Sequence, residues 1–174
     1  MGEVRHPGGR GLRPPEPISA THDLTSFDCG NEELNEWLKR RALASEGRSA
    51  RTSVLCDGQR VAGYYCLATG AIERESLSSA KLRKNLPDPI PILVLGRLAI
   101  ALDYQGRGLG KALLKDAILK TIAASEIAGV RALVVHAIDD EAAQFYQRYG
   151  FVLSPLNPRA LLLPIETAKV ALGI

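Results

Sequence analysis

The sequence predicts an α/β domain, a mixed sheet flanked by helices, on three observations. Apolar runs that hardly alternate stand at 90–101 and 132–138, apolar residues recur at helical spacing over 32–45 and 109–128, and Asp57-Gly58 separates two β-rich runs. The elements follow the order strand, helix, three or four strands, helix, strand, helix, strand. Sheets of this kind bind ligands where strands part or the connection changes direction. With 174 residues, 46% apolar and 24% charged, the chain is long enough for one core and too short for two comfortable domains. Residues 16–174 are therefore expected to form a single domain behind a disordered Gly/Pro/Arg-rich leader at 1–15.

The first strand is expected from Glu16 to His22. Asp28-Cys29-Gly30-Asn31 then supplies turn residues, with Asn31 as the N-cap of an amphipathic helix carrying Leu34, Trp37, Leu38 and Ala42 on one face. Gly47 ends that helix near Ser45. Arg51–Cys56 and Val61–Ala68 read as a hairpin across Asp57-Gly58. A short helix at 78–84 and a Pro87-Asp88-Pro89 breaker precede Ile90–Ala101, which reads as a central strand covered on both faces. Leu109–Ala128 is the clearest helix, with Leu114, Ile118 and Ile122 at four-residue steps and Gly129 closing it. A buried strand at Ala132–Ile138, a helix at Glu141–Tyr149 closed by Gly150, and strands at 151–153 and 160–165 complete the chain.

Cys29, Cys56 and Cys66 form no CxxC pair, which supports neither a disulfide framework nor a zinc site, so no metal is expected and a reducing, cytoplasmic setting fits. No run approaches the roughly 20 apolar residues of a membrane-spanning helix, and the longest is interrupted by Arg97. The leader lacks the apolar stretch of a signal peptide. The formal charge is only +3, yet Lys39, Arg40, Arg41, Arg48 and Arg51 crowd one stretch and predict a local basic patch.

The most specific feature is the buried strand that runs through a short loop into Gln105-Gly106-Arg107-Gly108-Leu109-Gly110 and on into the long helix. Its glycines allow tight turning and close approach to a ligand, and the helix start favours a diphosphate, with Arg107 or Lys111 adding charge. A dinucleotide-binding start would want an acidic residue at a second strand end about 20 positions on, whereas Glu126 lies inside the helix. A Walker loop needs a hydroxyl after the lysine, and Gly110-Lys111-Ala112 has none. A glycine-rich turn without a ligand is the remaining alternative to a pyrophosphate cradle.

Leu98-Ala99-Ile100, Tyr104 through Gly110, and Phe145-Tyr146-Gln147-Arg148-Tyr149-Gly150-Phe151 together resemble the GCN5-related N-acetyltransferases, from about Ile18 onward. The resemblance implies the fold of that family, a mostly antiparallel sheet with a parallel, splayed pair. It implies that Gln105, Gly106, Arg107, Gly108, Leu109, Gly110 and Lys111 hold acetyl-CoA, and that Leu98, Ala99 and Ile100 present backbone groups to its pantetheine arm and acetyl carbonyl. It also implies that Tyr146 is the general acid for the departing thiolate; from the residue alone, a packing aromatic is the alternative. Phe27 to Asn35 followed by Trp37-Leu38, then Ala50-Arg51-Thr52, and Leu95 to Ala99, are similar to acetyltransferase toxins of toxin–antitoxin modules that acetylate aminoacyl-tRNA. That likeness implies a charged-tRNA substrate, a ribbon-helix-helix antitoxin and a homodimer. Acetylation of a small amine or a protein N-terminus, and a non-catalytic CoA- or RNA-binding module, stand as alternatives.

Arg97 interrupts an apolar strand, a costly placement unless it is paired or reaches a cleft, and a cleft is expected. Arg48, Arg51 and Arg97 are the candidate RNA contacts, since phosphates supply most sequence-independent affinity. His136, within an apolar strand, reads as a satisfied core histidine, and Asp139 and Asp140 as caps of the following helix.

Overall fold

The computed structural model describes residues 11–77 and 79–174. In chain order its elements are β1 (Glu16–Pro17), α1 (Glu32–Arg40), α2 (Ala42–Ser45), β2 (Arg51–Asp57), β3 (Arg60–Ile72), α3 (Ala80–Arg83), β4 (Ile90–Ile100), α4 (Leu109–Ile127), β5 (Ala132–His136), α5 (Asp140–Arg148), β6 (Val152–Leu153), β7 (Ala160–Pro164) and α6 (Ile165–Leu172). The sheet has seven strands in the order β1-β2-β3-β4-β5-β7-β6. Pairing is antiparallel for β1–β2, β2–β3, β5–β7 and β6–β7 and parallel for β4–β5. The expected mixed, mostly antiparallel sheet with one parallel pair is what forms. The chain divides into two compact units, one of residues up to 67 with 97–117, the other of 68–96 with 118–174.

In the first unit, Asn31 caps α1 by accepting the Leu34 N–H at 3.2 Å, as its short polar side chain predicts. Leu38 and Ala42 are fully buried with Val54, Val61, Ala62 and Tyr64 against Ala99 and Ala101. The helix expected to run to Ser45 breaks at Arg41, whose N–H closes on the Trp37 carbonyl and which starts the short α2. Gly58, at φ +64°, makes the hairpin turn. A Cβ at Gly63 would sit 2.7 Å from Ile100 Cδ1, 3.1 Å from the Ala99 carbonyl and 3.2 Å from Leu113 Cδ1. Glycine is thus what lets β3 lie close to the end of β4 and the start of α4.

Of the expected leader, residues 1–10 lie outside the described residues. Residues 11–15 are fixed: Leu12 bridges Asp57, the Arg13 N–H reaches the Cys56 carbonyl at 3.0 Å, and the Arg13 side chain reaches Gly58 and Glu16. The first strand is much shorter than the expected Glu16–His22. Proline at 17 offers no N–H, and after Ile18 binds the Thr52 carbonyl the chain turns, with the Ser19 N–H donating to His22 Nδ1.

In the second unit, β5 pairs in parallel with β4 over Leu93–Leu95 and antiparallel with β7 over its whole length. Ile90, Ile92, Ala132, Val134, Leu162 and Leu77 form its core cluster. The largely apolar character of β4 does not mean full coverage: Ile90, Ile92, Leu95 and Ala99 are buried, while Leu93, Val94, Leu98 and Ile100 are half-buried. His136 is exposed at the end of β5 and is not the expected core histidine. Gly129 does not close α4 in a left-handed turn, since the left-handed glycines among the described residues are elsewhere. The helix α6 was not expected at all; Thr167 and Val170 weaken its local signal, and Gly173, at φ +71°, ends it. No helix among the described residues is long and apolar enough to cross a membrane.

Candidate active site

The end of β4 is anchored from both sides. The Ala101 N–H donates to the Ala62 carbonyl and the Leu102 N–H to the Asp28 carbonyl, each at 2.8 Å. A single 3-10 turn, Leu102–Tyr104, then leads into the glycine loop. Gly106 and Gly108 take φ +80° and +77°, and a Cβ at either would meet nothing within 4 Å. Backbone conformation rather than crowding is what requires glycine at these two positions. The first helical bond of α4 here is Ala112 N–H to the Gly108 carbonyl at 3.2 Å, so the amides before it point out of the helix end, where the dipole favours an anion. An open loop, outward amides and an adjacent lysine, Lys111, suit a diphosphate, and the residues present fit the CoA moiety expected there.

The side chains of this loop serve the scaffold. Gln105 Nε2 donates to the Ile100 carbonyl at 2.8 Å and the Cys29 carbonyl at 3.1 Å, stapling the loop to β4 and to the turn before α1. Arg107 reaches the Asp103 carbonyl at 3.1 Å and lies 5.2 Å from the Tyr104 ring centroid. Leu98, Ala99 and Ile100 lie just upstream on β4, with Ala99 in the core and the other two half-buried. The parallel pairing with β5 has already stopped at Leu95, so these three residues lie beyond it.

A bracket that the sequence did not suggest holds the loop from behind. Tyr104, 8% exposed, donates its hydroxyl to Asp57 Oδ2 at 2.7 Å, and Arg60 pairs with Asp103 at 2.7 Å while lying 5.2 Å from the Tyr104 ring centroid. Burial, with the Asp57 carboxylate next in effect, pushes the Tyr104 phenol up. Asp57, a hairpin residue by sequence, also ties the β2–β3 turn to the loop. Close by, Tyr65 on β3 donates a very short hydrogen bond to Asp116 on α4.

Tyr146 lies on α5, whose start is capped as expected by Asp139, accepting the Ala142 N–H at 2.8 Å. Asp140 pairs instead with Arg159 at 3.0 Å. Tyr146 is buried edge-to-face against Phe145 and Phe151, with centroids 5.2 and 5.4 Å away, and Gly150 at φ +95° turns the chain so that the Phe151 N–H returns to the Tyr146 carbonyl. Burial alone pushes its phenol up to about 12, so the hydroxyl keeps its proton throughout the neutral range. Tyr149 packs on Phe145, as a structural aromatic.

Arg97 reaches a cleft, as expected. Its guanidinium lies 4.2 Å over the Trp37 ring, and that indole stacks on buried Tyr64 at 5.9 Å and 11°. Glu33, Glu36, Arg40 and Arg41 complete the lining. Arg48 and Arg51 do not line this cleft; both are exposed, with Arg51 3.6 Å from Glu46.

Glu16, His22 and Cys56 bring donor atoms within 4.8 Å of one another. His22 Nδ1 accepts from the Ser19 N–H at 2.9 Å, which puts the proton on Nε2, directed at Glu16 at 2.9 Å. Glu16 also holds Arg13 at 2.7 Å. Both imidazole nitrogens are engaged, and the Glu16 carboxylate is taken up by a hydrogen bond from the His22 imidazole and an ion pair with Arg13.

Residues 48–153 match the family described as the acetyltransferase (GNAT) domain. Over 164 residues the chain is 40% identical to the tRNA-acetylating toxin of Mycobacterium tuberculosis (strain ATCC 25618 / H37Rv), covering 94% of this chain and 98% of that protein. Among solved structures it is similar to AtaT complexed with acetyl-methionyl-tRNAfMet, with TM-score 0.87 and 33% identity over 92% of this chain and 99% of that one. It is also similar to a tyrosine-to-phenylalanine mutant of the AtaT toxin bound to the C-terminus of the antitoxin AtaR and acetyl-CoA, with TM-score 0.77 and 31% identity over 94% and 99%. Sheet order, glycine loop and overall similarity agree: the chain belongs to the GNAT acetyltransferase family.

Proposed function

We propose that this protein transfers an acetyl group from acetyl-CoA to the α-amino group of an aminoacyl-tRNA, arrests translation by doing so, and is held in check by a cognate antitoxin. The observation that carries this reading is the 40% identity, over nearly the full length of both chains, to a tRNA-acetylating toxin. The AtaT complexes with an acetylated aminoacyl-tRNA and with an antitoxin support the substrate and the partner. A ribbon-helix-helix antitoxin, a homodimer and a cytoplasmic location are parts of the same proposal.

Acetyl-CoA supplies an activated acetyl thioester. The outward amides at the start of α4, with Gly106, Gly108 and Lys111, bind its diphosphate, and Gln105 and Tyr104 keep that loop in place. Backbone N–H groups of Leu98–Ile100 stabilise negative charge developing on the carbonyl oxygen. The acceptor amine titrates near pH 8, roughly the α-amino reference value, so an appreciable neutral fraction attacks without a strong base. Tyr146 holds a proton on its phenolic oxygen for the sulfur that leaves. The buried ring and raised phenol support this role, because such a group is still protonated through the pH range near 8 in which the amine becomes neutral, roughly the α-amino reference value.

A coupled translation extract tests the function. Adding the protein with acetyl-CoA is expected to stop synthesis, and adding either alone is not; undiminished synthesis with both present contradicts the proposal.

A further inference from the structure

We propose that the cleft framed by Trp37, Arg97, Arg40, Arg41, Glu33 and Glu36 receives the 3′-terminal adenosine of the acceptor tRNA, with the adenine stacked on the Arg97 guanidinium. This rests on the aminoacyl-tRNA reading and assigns a mode of recognition within it. Arg97 is held in place through a ladder that begins in the core. The Tyr64 hydroxyl is fixed to the Leu34 carbonyl at 2.7 Å, its ring carries the Trp37 indole, and the indole carries the guanidinium. An arginine ordered in this way loses little freedom when a ligand arrives.

Its charge is also uncommitted. Arg40 is paired with Glu36 at 2.5 Å, whereas Arg97 has no ion pair among the described residues. The cleft, about 370 Å³, is of nucleotide size rather than ion size. Its lining mixes a planar cation, further arginines and carboxylates. The end of a charged tRNA has matching parts: a planar base, a phosphate and an amine. RNA ends are recognised by stacking of unpaired bases on aromatic rings or guanidinium planes. Arg97 immediately precedes Leu98–Ile100 on β4, so the residue that stacks the base is the strand neighbour of the segment assigned to the acetyl carbonyl.

Steady-state kinetics of the full-length protein with charged tRNA separate stacking from charge, using Arg97→Lys and Arg97→Ala. Lysine keeps the cation and loses the plane, so both variants are expected to raise KM for charged tRNA about tenfold, the scale of one base stack. kcat and the KM for acetyl-CoA should stay near the unsubstituted values, and thermal melting reports whether each variant folds. A 3′-aminoacylamino-3′-deoxyadenosine should compete with charged tRNA on the unsubstituted protein and compete about tenfold less well on both variants. A wild-type KM in Arg97→Lys, or no competition by the adenosine probe on an active protein, overturns the stacking assignment alone. If the unsubstituted protein acetylates no charged tRNA, the functional reading fails and takes this assignment with it.

Discussion

The glycine loop and Tyr146 are built on opposite principles. The loop is exposed, its two left-handed glycines face open space, and its side chains are turned back onto the scaffold. Tyr146 is the reverse: one side chain, 7% exposed, enclosed by Phe145 and Phe151. A diphosphate is bound by many backbone dipoles at a water-accessible helix end, so the loop needs a particular path and few particular side chains. A proton donor needs one atom kept in one protonation state, which burial provides. Substitutions should therefore separate into effects on cofactor affinity at the loop and effects on turnover at the tyrosine.

The largest effect is expected at Tyr146. Tyr146→Phe removes the phenolic proton and leaves the aromatic packing, so kcat should fall about 10²- to 10³-fold, within the range for general acids. Acetyl-CoA affinity and thermal stability should stay near those of the unsubstituted protein. A variant with normal kcat would make Tyr146 a packing aromatic.

Second is Gly108→Ala. A left-handed non-glycine residue costs roughly 1–2 kcal/mol, and with nothing within 4 Å no steric cost is added. In the unbound variant the exposed loop relaxes out of this conformation, and restoring it on binding should raise KM for acetyl-CoA about tenfold with kcat held, since 1.4 kcal/mol is a factor of ten. A fall in kcat without a change in KM would erase the contrast between the two regions.

Smaller still is Tyr104→Phe, which tests the bracket behind the loop. Loss of the hydroxyl leaves Asp57 Oδ2 without its partner, where Oδ1 already lacks one among the described residues. Destabilisation of about 1–3 kcal/mol follows for a buried acceptor, visible as a lowered Tm, with a modest rise in acetyl-CoA KM. Unchanged stability would mean the bracket holds nothing.

The pH profile sharpens the tyrosine side. With the folded phenol near 12 and the unfolded one near the ordinary value of about 10, the stability contributed by the buried neutral ring is complete below pH 10. It is lost as pH rises from about 10 to 12. Activity should climb through the amine titration near pH 8 without a descending limb below pH 10. A descending limb near neutrality would place a different acid at the sulfur.

Local chemistry made much of this legible in the sequence. Asn31 and Asp139 cap their helices, Gly58 turns the hairpin, and Gly106 and Gly108 take the left-handed turns of the proposed cradle, because each residue type answers a backbone need within a few positions. The cleft at Arg97 was also legible, since an arginine in an apolar strand must be compensated. What escaped depends on long-range pairing. Asp57 and Tyr104 are 47 residues apart, and Gln105 and Cys29, which the Gln105 side chain staples together, are 76 apart. His136 is exposed because β5 ends there, two residues short of its expected limit, and no apolar pattern marks that limit. The helix α6 was hidden because an apolar run with β-branched residues does not distinguish the end of a strand from the start of a helix.

The most direct test incubates the purified protein with radiolabelled acetyl-CoA and bulk tRNA, charged in one arm and deacylated in the other, with Tyr146→Phe alongside. Label entering charged tRNA alone, and greatly reduced in the variant, is the expected result. Charged tRNA left unlabelled while other amines are acetylated would contradict the proposed substrate and leave the family assignment standing.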